Sequence, residues 1–369
     1  MQAKAMVVTA PGRIEAAAFP VSAPGPGEVL VRTRATSVCA TDVKVFHGEV
    51  GRARFPLIMG HEFVGEVVAV GREAAGRFGL REGDRVTPEP YIPCGRCAWC
   101  RTEHHYHNCP DVRLYGISMP CDRPPHLFGG YAEIVTLVDG SLLHRVAPET
   151  PDLAACLSSV VGNAFRWVKT LGRMGFGERL VISGVGSQGL CTLAAALACG
   201  VGPIVLLGLA ADEARFALAR EFGAEHILAV DRDNALEAVP DLLGGAPDVV
   251  IETSGAPAAI RTAIRLVRPS GRVVVIGLSG GRETAVAFDD LVWRDVSVVC
   301  GKGQAGNVGD AVRLIDSRRF AFEKINNTIF RLDDLERALA ATERPPAGFI
   351  KAAVVFDTEN VPAQRAAGR

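Results

Sequence analysis

Four cysteines, Cys94, Cys97, Cys100 and Cys109, stand in the run CGRCAWCRTEHHYHNC. Thiolates with two residues between them let one tight loop wrap three ligands around a tetrahedral Zn²⁺, and a fourth closes the shell. A closed Cys₄ shell leaves no coordination position for a substrate, so the predicted metal holds a loop together rather than catalysing. A disulfide pair is the alternative, but these spacings in a chain without signs of secretion favour metal. His104, His105 and His107 lie inside the last gap, and any of them could replace Cys109 as the fourth ligand.

A second signature suits a dinucleotide. The apolar strand Leu180–Ser183 runs into Gly184-Val185-Gly186-Ser187-Gln188-Gly189 and then into the helical run LCTLAAALA. GxGxxG between a strand and a helix assigns each glycine a task. Gly184 permits the tight turn, Gly186 lets backbone approach a pyrophosphate at the helix N-terminus, and Gly189 lets the helix pack closely on the strand. The next strand, Ile204–Leu207, normally ends in an acid that bonds the adenosine ribose. Here it runs into Gly208-Leu209-Ala210-Ala211, and that acid is missing. Asp212 arrives two residues past Ala210 and reads as a cap for the following helix. Arg215, early in that helix, is a candidate for a 2′-phosphate. NAD and NADP both stay open, with the balance tipped slightly towards NADP.

These residues need two kinds of scaffold. A chain of 369 residues buries substantial cores and divides into about two domains. Residues 1–160 are rich in Gly, Pro and short β-branched runs such as Val29–Arg32, Phe63–Val70 and Tyr131–Thr136, which predicts an irregular β-rich domain. Residues 161–303 alternate apolar strands with Ala-rich helices, the pattern of a doubly wound α/β parallel sheet. Residues 304–369 return to helix and strand, ending at Phe349–Phe356 before a frayed tail from Thr358 to Arg369. The net charge of −1 lacks the basic excess of a nucleic-acid binder. No apolar run has membrane-span length, and MQAKAMVVTAPGRIEA reads as a first strand rather than a leader. Ten cysteines without an export signal imply a reducing, cytoplasmic setting.

Further fragments complete a recognisable order: Cys39-Ala40-Thr41-Asp42, Gly60-His61-Glu62, Gly83-Asp84-Arg85-Val86 and Gly129-Gly130-Tyr131-Ala132-Glu133. With the cysteine lobe and GxGxxG, they resemble the zinc-containing medium-chain alcohol dehydrogenases, nearest in style to the sorbitol and threonine dehydrogenase branches. The resemblance implies a GroES-like catalytic domain with a Rossmann domain inserted before its last segment. It implies a second, catalytic zinc on Cys39 and His61, with Thr41 beside the substrate oxygen and Asp42 orienting a ligand. That zinc would act as a Lewis acid while hydride passes from an alcohol, expected to be secondary, to the nicotinamide. It also implies a basic residue, Lys351, on the cofactor pyrophosphate, and a homodimer or homotetramer acting on a small molecule.

Two positions depart from the family pattern. Alignment through Gly162-Asn163-Ala164 puts Ser159 where a further zinc ligand belongs, and neutral serine is a poor one. Glu62 is the expected replacement, as in the sorbitol dehydrogenase branch, with Cys156 as a backup. The proton-relay histidine is Lys44, whose ammonium accepts no proton; His47 is a possible substitute. Two other readings stay in competition. One is a zinc-free NADPH quinone or enoyl reductase on the same scaffold, and the other a non-catalytic nucleotide-binding redox sensor.

Overall fold

The computed structural model describes residues 1–102 and 105–356; His104 and the tail from Thr358 to Arg369 lie outside them. The chain divides into two compact units, Met1–Ser158 with the stretch from Phe322 onward, and Ser159–Ala321. In the first, Val29–Val38 is the central strand of a seven-stranded sheet. Phe63–Val70 and Ala352–Val355 flank it, both antiparallel to it. Thr328–Arg331 extends the sheet beyond Ala352–Val355, and Arg85–Pro88 with Leu143–Val146 extend it on the other side. The central strand is buried along most of its length although only Val29–Val31 form an apolar run; the buried Thr33 and Thr36 hydroxyls donate to Ala132 and Gly130 C=O. Gln2–Ala10 pairs with Arg13–Pro20 and Leu57–Ile58 in a separate three-stranded sheet. The expected strand at Tyr131–Thr136 is observed at Ile134–Leu137. Its first residues instead pack backbone to backbone on the Met59–Gly60 turn, where Tyr131 N–H donates to Met59 C=O and Gly130 N–H to Gly60 C=O.

The second unit is a six-stranded parallel sheet. Its strands stand in the order His226–Ala229, Ile204–Gly208, Leu180–Ser183, Val249–Glu252, Arg272–Val275, Ser297–Cys300. In chain order this is 3-2-1-4-5-6, the doubly wound arrangement, whose crevice opens where the order reverses. The three central strands are buried throughout, as strands covered on both faces must be. Residues 304–321, expected with the catalytic domain, fall with this unit instead, so the return lies at Phe322. Helix Val308–Asp316 explains the shift. It buries Val308, Ala311, Val312, Leu314 and Ile315, and its Asp310 pairs with Lys169 at 2.5 Å.

Candidate functional site

Register gathers the first set of reactive groups at one end of the seven-stranded sheet. Cys39 directly follows the central strand, while Glu62 and Lys351 directly precede its two antiparallel neighbours. With Ala352 opposite Val38 and Phe63 opposite Thr36, all three are brought together. The Ser37 N–H fixes the crossing by donating to Glu62 C=O at 2.8 Å. Cys39 is the N-cap of helix Ala40–Phe46, and its own N–H donates to Asp42 Oδ2 at 2.8 Å, an N3 acid reaching back over the cap. Gly60, at φ 91°, turns the chain so that His61 and Glu62 enter the site, a backbone conformation that favours glycine.

The Cys39 sulfur, a His61 ring nitrogen and a Glu62 carboxylate oxygen lie within 4.8 Å of one another. His61 Nδ1 is 3.1 Å from Asp42 Oδ1, and Nε2 is 3.9 Å from Glu62 Oε1. Asp42 thereby fixes which ring nitrogen faces the cluster. Burial alone would raise the Asp42 carboxyl, but the His61 charge and hydrogen bond and the Cys39 N–H outweigh it, and its pKa is lowered. Burial would lower His61, yet Asp42 holds its pKa well above the ordinary value. Lys351 is also buried. Its Nζ sits 2.9 Å from Glu62 Oε2 and donates to Val38 C=O at 3.0 Å. Burial would lower its pKa, but Glu62 and Cys39 raise it. Cys39, His61 and Glu62 thus present a sulfur, an imidazole nitrogen and a carboxylate oxygen to one point, with Asp42 behind the imidazole. Sulfur, nitrogen and oxygen donors in that combination are the ligand types of Zn²⁺, so the donor set fits the ion.

This geometry bears on several expectations. Lys351, expected on a pyrophosphate, has the carboxylate of Glu62 as its ion partner. Cys156 lies outside the cluster and is buried on Ser37 Oγ at 3.2 Å and Asn326 Nδ2 at 3.3 Å, with burial pushing its thiol up to about 12. His47 is engaged by Glu343 at 3.1 Å. Ser159 is buried in the second unit. Tyr131 carries a role that the sequence reading left unassigned: its hydroxyl donates to Asp42 Oδ2 at 3.1 Å. The signal was its place in the GGYAE fragment.

The sulfurs of Cys94, Cys97, Cys100 and Cys109 also lie within 4.8 Å of one another. Cys94–Cys100 is 3.9 Å and Cys97–Cys100 is 3.5 Å. Tetrahedral zinc with Zn–S of ~2.3 Å sets sulfurs roughly 3.8 Å apart, so the cluster fits the ion. No cysteine is in a disulfide. His105 and His107 stack with centroids 6.1 Å apart and are not in the cluster. The N–H groups of Arg96 and Cys97 lower the Cys94 thiol to about 6, whereas burial pushes Cys100 up to about 12.

A cleft of about 660 Å³ opens in the second unit beyond the carboxyl ends of the central strands. Gly184, Gly186, Ser187, Gln188 and Arg215 line it, and so does Asp212. Gly186 is the N-cap of helix Ser187–Ala198, and a Cβ there would meet nothing within 4 Å, which leaves room for a phosphate at the helix N-terminus. Gly189 does not line the cleft. A Cβ on it would fall 1.9 Å from Gly184 O, so it serves the close helix–strand packing. Ala210 is not in the lining either; its N–H donates to Asp231 Oδ1 at 2.8 Å.

A parallel 3-2-1-4-5-6 sheet with a glycine-lined cleft, in one chain with a β-rich unit carrying Cys₄ and Cys-His-Glu clusters, defines a nucleotide-binding zinc dehydrogenase. Residues 25–148 match the family described as "Alcohol dehydrogenase GroES-like domain", and residues 188–315 match "Zinc-binding dehydrogenase". The chain is 36% identical to a probable alcohol dehydrogenase of Mycobacterium tuberculosis, over 91% of this chain and 93% of the relative. It is 33% identical to an L-threonine 3-dehydrogenase of Pyrococcus horikoshii, over 78% and 79%. A zinc-binding dehydrogenase of Sinorhizobium meliloti, in a crystal structure bound to NADP, superposes with a TM-score of 0.86. That pair is 25% identical, over 96% of this chain and 99% of the other. The chain belongs to the zinc-containing medium-chain alcohol dehydrogenase family. It is a zinc-dependent oxidoreductase that uses NAD(P) and acts on an alcohol.

Proposed function

We propose that Cys39, His61 and Glu62 hold a catalytic zinc, that Cys94, Cys97, Cys100 and Cys109 hold a structural one, and that the substrate is a secondary alcohol oxidised to its ketone. The observation that carries this is the convergence of a cysteine sulfur, an imidazole nitrogen and a carboxylate oxygen within 4.8 Å of one another. Zinc bound there supplies Lewis-acid polarisation of the alcohol oxygen. The Thr41 hydroxyl, next but one after Cys39 and without a hydrogen bond among the described residues, takes the alcohol proton at Oγ1. With His47 held by Glu343, water would take the proton on from Thr41. The Gly184–Gly189 turn would hold the phosphates of NAD(P), which when bound would supply the hydride acceptor. The zinc-free reductase and redox-sensor readings leave the Cys39–His61–Glu62 cluster without a purpose.

The chain works in the cytoplasm as a homodimer or homotetramer on this reading. Supporting it, the outer edge of Ser297–Cys300 has no partner strand among the described residues, and Phe288, Val292, Trp293, Leu278 and Val298 are exposed around it. Their side chains offer roughly 600 Å², so a two-fold pair of copies would bury about 1,200 Å², the lower end of a specific interface.

The test is zinc content with alcohol-dependent NAD(P) reduction. Wild type should hold about two zincs per chain. Cys39→Ala, His61→Ala and Glu62→Gln should lose one zinc and most turnover while keeping nucleotide binding, and Cys97→Ser should lose zinc and stability together. Ser159→Ala should do little. Loss of metal from Ser159→Ala with full metal and activity in Glu62→Gln would sink the ligand assignment.

A further inference from the structure

The turn after the second strand of the parallel sheet is where the sequence lacks its ribose-binding acid, at Ala210. Two carboxylates nevertheless occupy this turn. Asp212 Oδ2 accepts the Leu209 N–H at 2.9 Å, and Asp231, arriving from the end of the neighbouring strand, accepts the Ala210 N–H at 2.8 Å. Asp212 lines the cleft, and its other oxygen holds the Arg215 guanidinium at 2.5 Å. Arg215 is the one basic residue in the lining among the described residues.

We infer that Asp212 and Asp231 together make this cleft select NAD over NADP, with Asp212 as the acceptor for the adenosine ribose hydroxyls. The inference rests on the dinucleotide reading of the cleft. A 2′-phosphate bound at such a turn uses exposed backbone N–H groups and an unpaired cation. Here both N–H groups already donate to carboxylates, and the cation is neutralised by one of them. A dianionic phosphate entering the cleft would face the Asp212 carboxylate of its lining, while the Ala210 N–H, outside the lining, is already taken by Asp231. A ribose hydroxyl has the opposite requirement. It donates to a carboxylate, and each oxygen of Asp212 keeps a second lone pair for it. The acid missing at Ala210 is therefore replaced from two positions, one two residues later in the chain and one on the adjacent strand. This reverses the slight tilt towards NADP that Ala210 and Arg215 suggest when read as isolated residues.

The experiment is calorimetric binding of NADH, NADPH, 5′-AMP and adenosine 2′,5′-bisphosphate to the full-length, zinc-loaded protein. Wild type should bind NADH at least about tenfold more tightly than NADPH, with the same order for the two adenosine fragments, the scale of one opposed charge pair near a surface. Asp212→Asn and Asp231→Asn keep an acceptor for the Leu209 and Ala210 N–H groups, so both should fold, which thermal melts check. Each should narrow the ratio by about threefold or more, mainly through tighter NADPH. Tighter NADPH than NADH in wild type, or a ratio unmoved in both variants, overturns the inference while leaving the nucleotide cleft intact. If none of the four ligands binds, the reading of the cleft falls, and this selectivity with it.

Discussion

Three donors converge on the Asp42 carboxylate: the Cys39 N–H, the His61 ring and the Tyr131 hydroxyl. Asp42 is fully buried, so its charge is felt at short range by all three. It is a positioning residue that fixes the tautomer of His61 and the conformation of Cys39 together. Asp42→Asn keeps the shape but removes the charge, and the zinc affinity of the catalytic site should fall about 10–100-fold, as when a ligand's supporting carboxylate is lost. Competition with a graded chelator measures this directly. An unchanged affinity would mean that Tyr131 and the backbone hold the site without the charge.

At the level of strands and helices, Asp248 and Arg179 clamp the starts of the two central parallel strands. Asp248 Oδ2 accepts the Arg179 N–H at 2.8 Å and its Nε at 3.2 Å, while Oδ1 accepts Arg268 Nε at 2.6 Å. Burial by itself would raise this carboxyl, but Arg268 and then Arg179 lower its pKa to about 2. A depressed folded pKa contributes stability above the unfolded value of ~4 that is lost as pH falls through the folded one. Asp248→Asn should therefore cost about 1–2 kcal/mol at pH 7 after allowance for solvent screening, and the difference should shrink as pH falls from about 4 to about 2. Urea unfolding at pH 7 and pH 3 reads it; an equal gap at both would place the effect elsewhere. The central strands Leu180–Ser183 and Val249–Glu252 were legible because burial on both faces demands continuous apolar runs. The same holds for the cysteine lobe, whose ligands are neighbours in sequence. Asp212, Asp231 and Lys351 were not legible as they act, because their partners are set by strand order and register. A charged residue at a strand end looks alike in sequence whether it faces solvent or a carboxylate. The return at Phe322 was missed for a related reason: an amphipathic helix such as Val308–Asp316 shows that it packs, but not on which unit.

For the whole molecule, the exposed edge at Ser297–Cys300 sets a size prediction. Trp293 is 87% exposed and Phe288 73%, and the proposed homo-oligomer would cover them. Trp293→Asp should shift the protein to a smaller species in sedimentation velocity while each unit keeps its fold by circular dichroism. An unchanged sedimentation coefficient would move the interface to another face. Lys351 bears on how the molecule comes into being. Its ammonium reaches the carbonyl of Val38, 313 residues earlier in the chain. Translation therefore delivers Cys39, Asp42, His61 and Glu62 long before their counter-charge, with the whole nucleotide-binding unit made in between. The Cys39–His61–Glu62 cluster therefore lacks its Lys351 contact until the strand Ala352–Val355 has been made, and a chain cut short before Lys351 should hold metal there less tightly than the full chain, which metal content after purification measures.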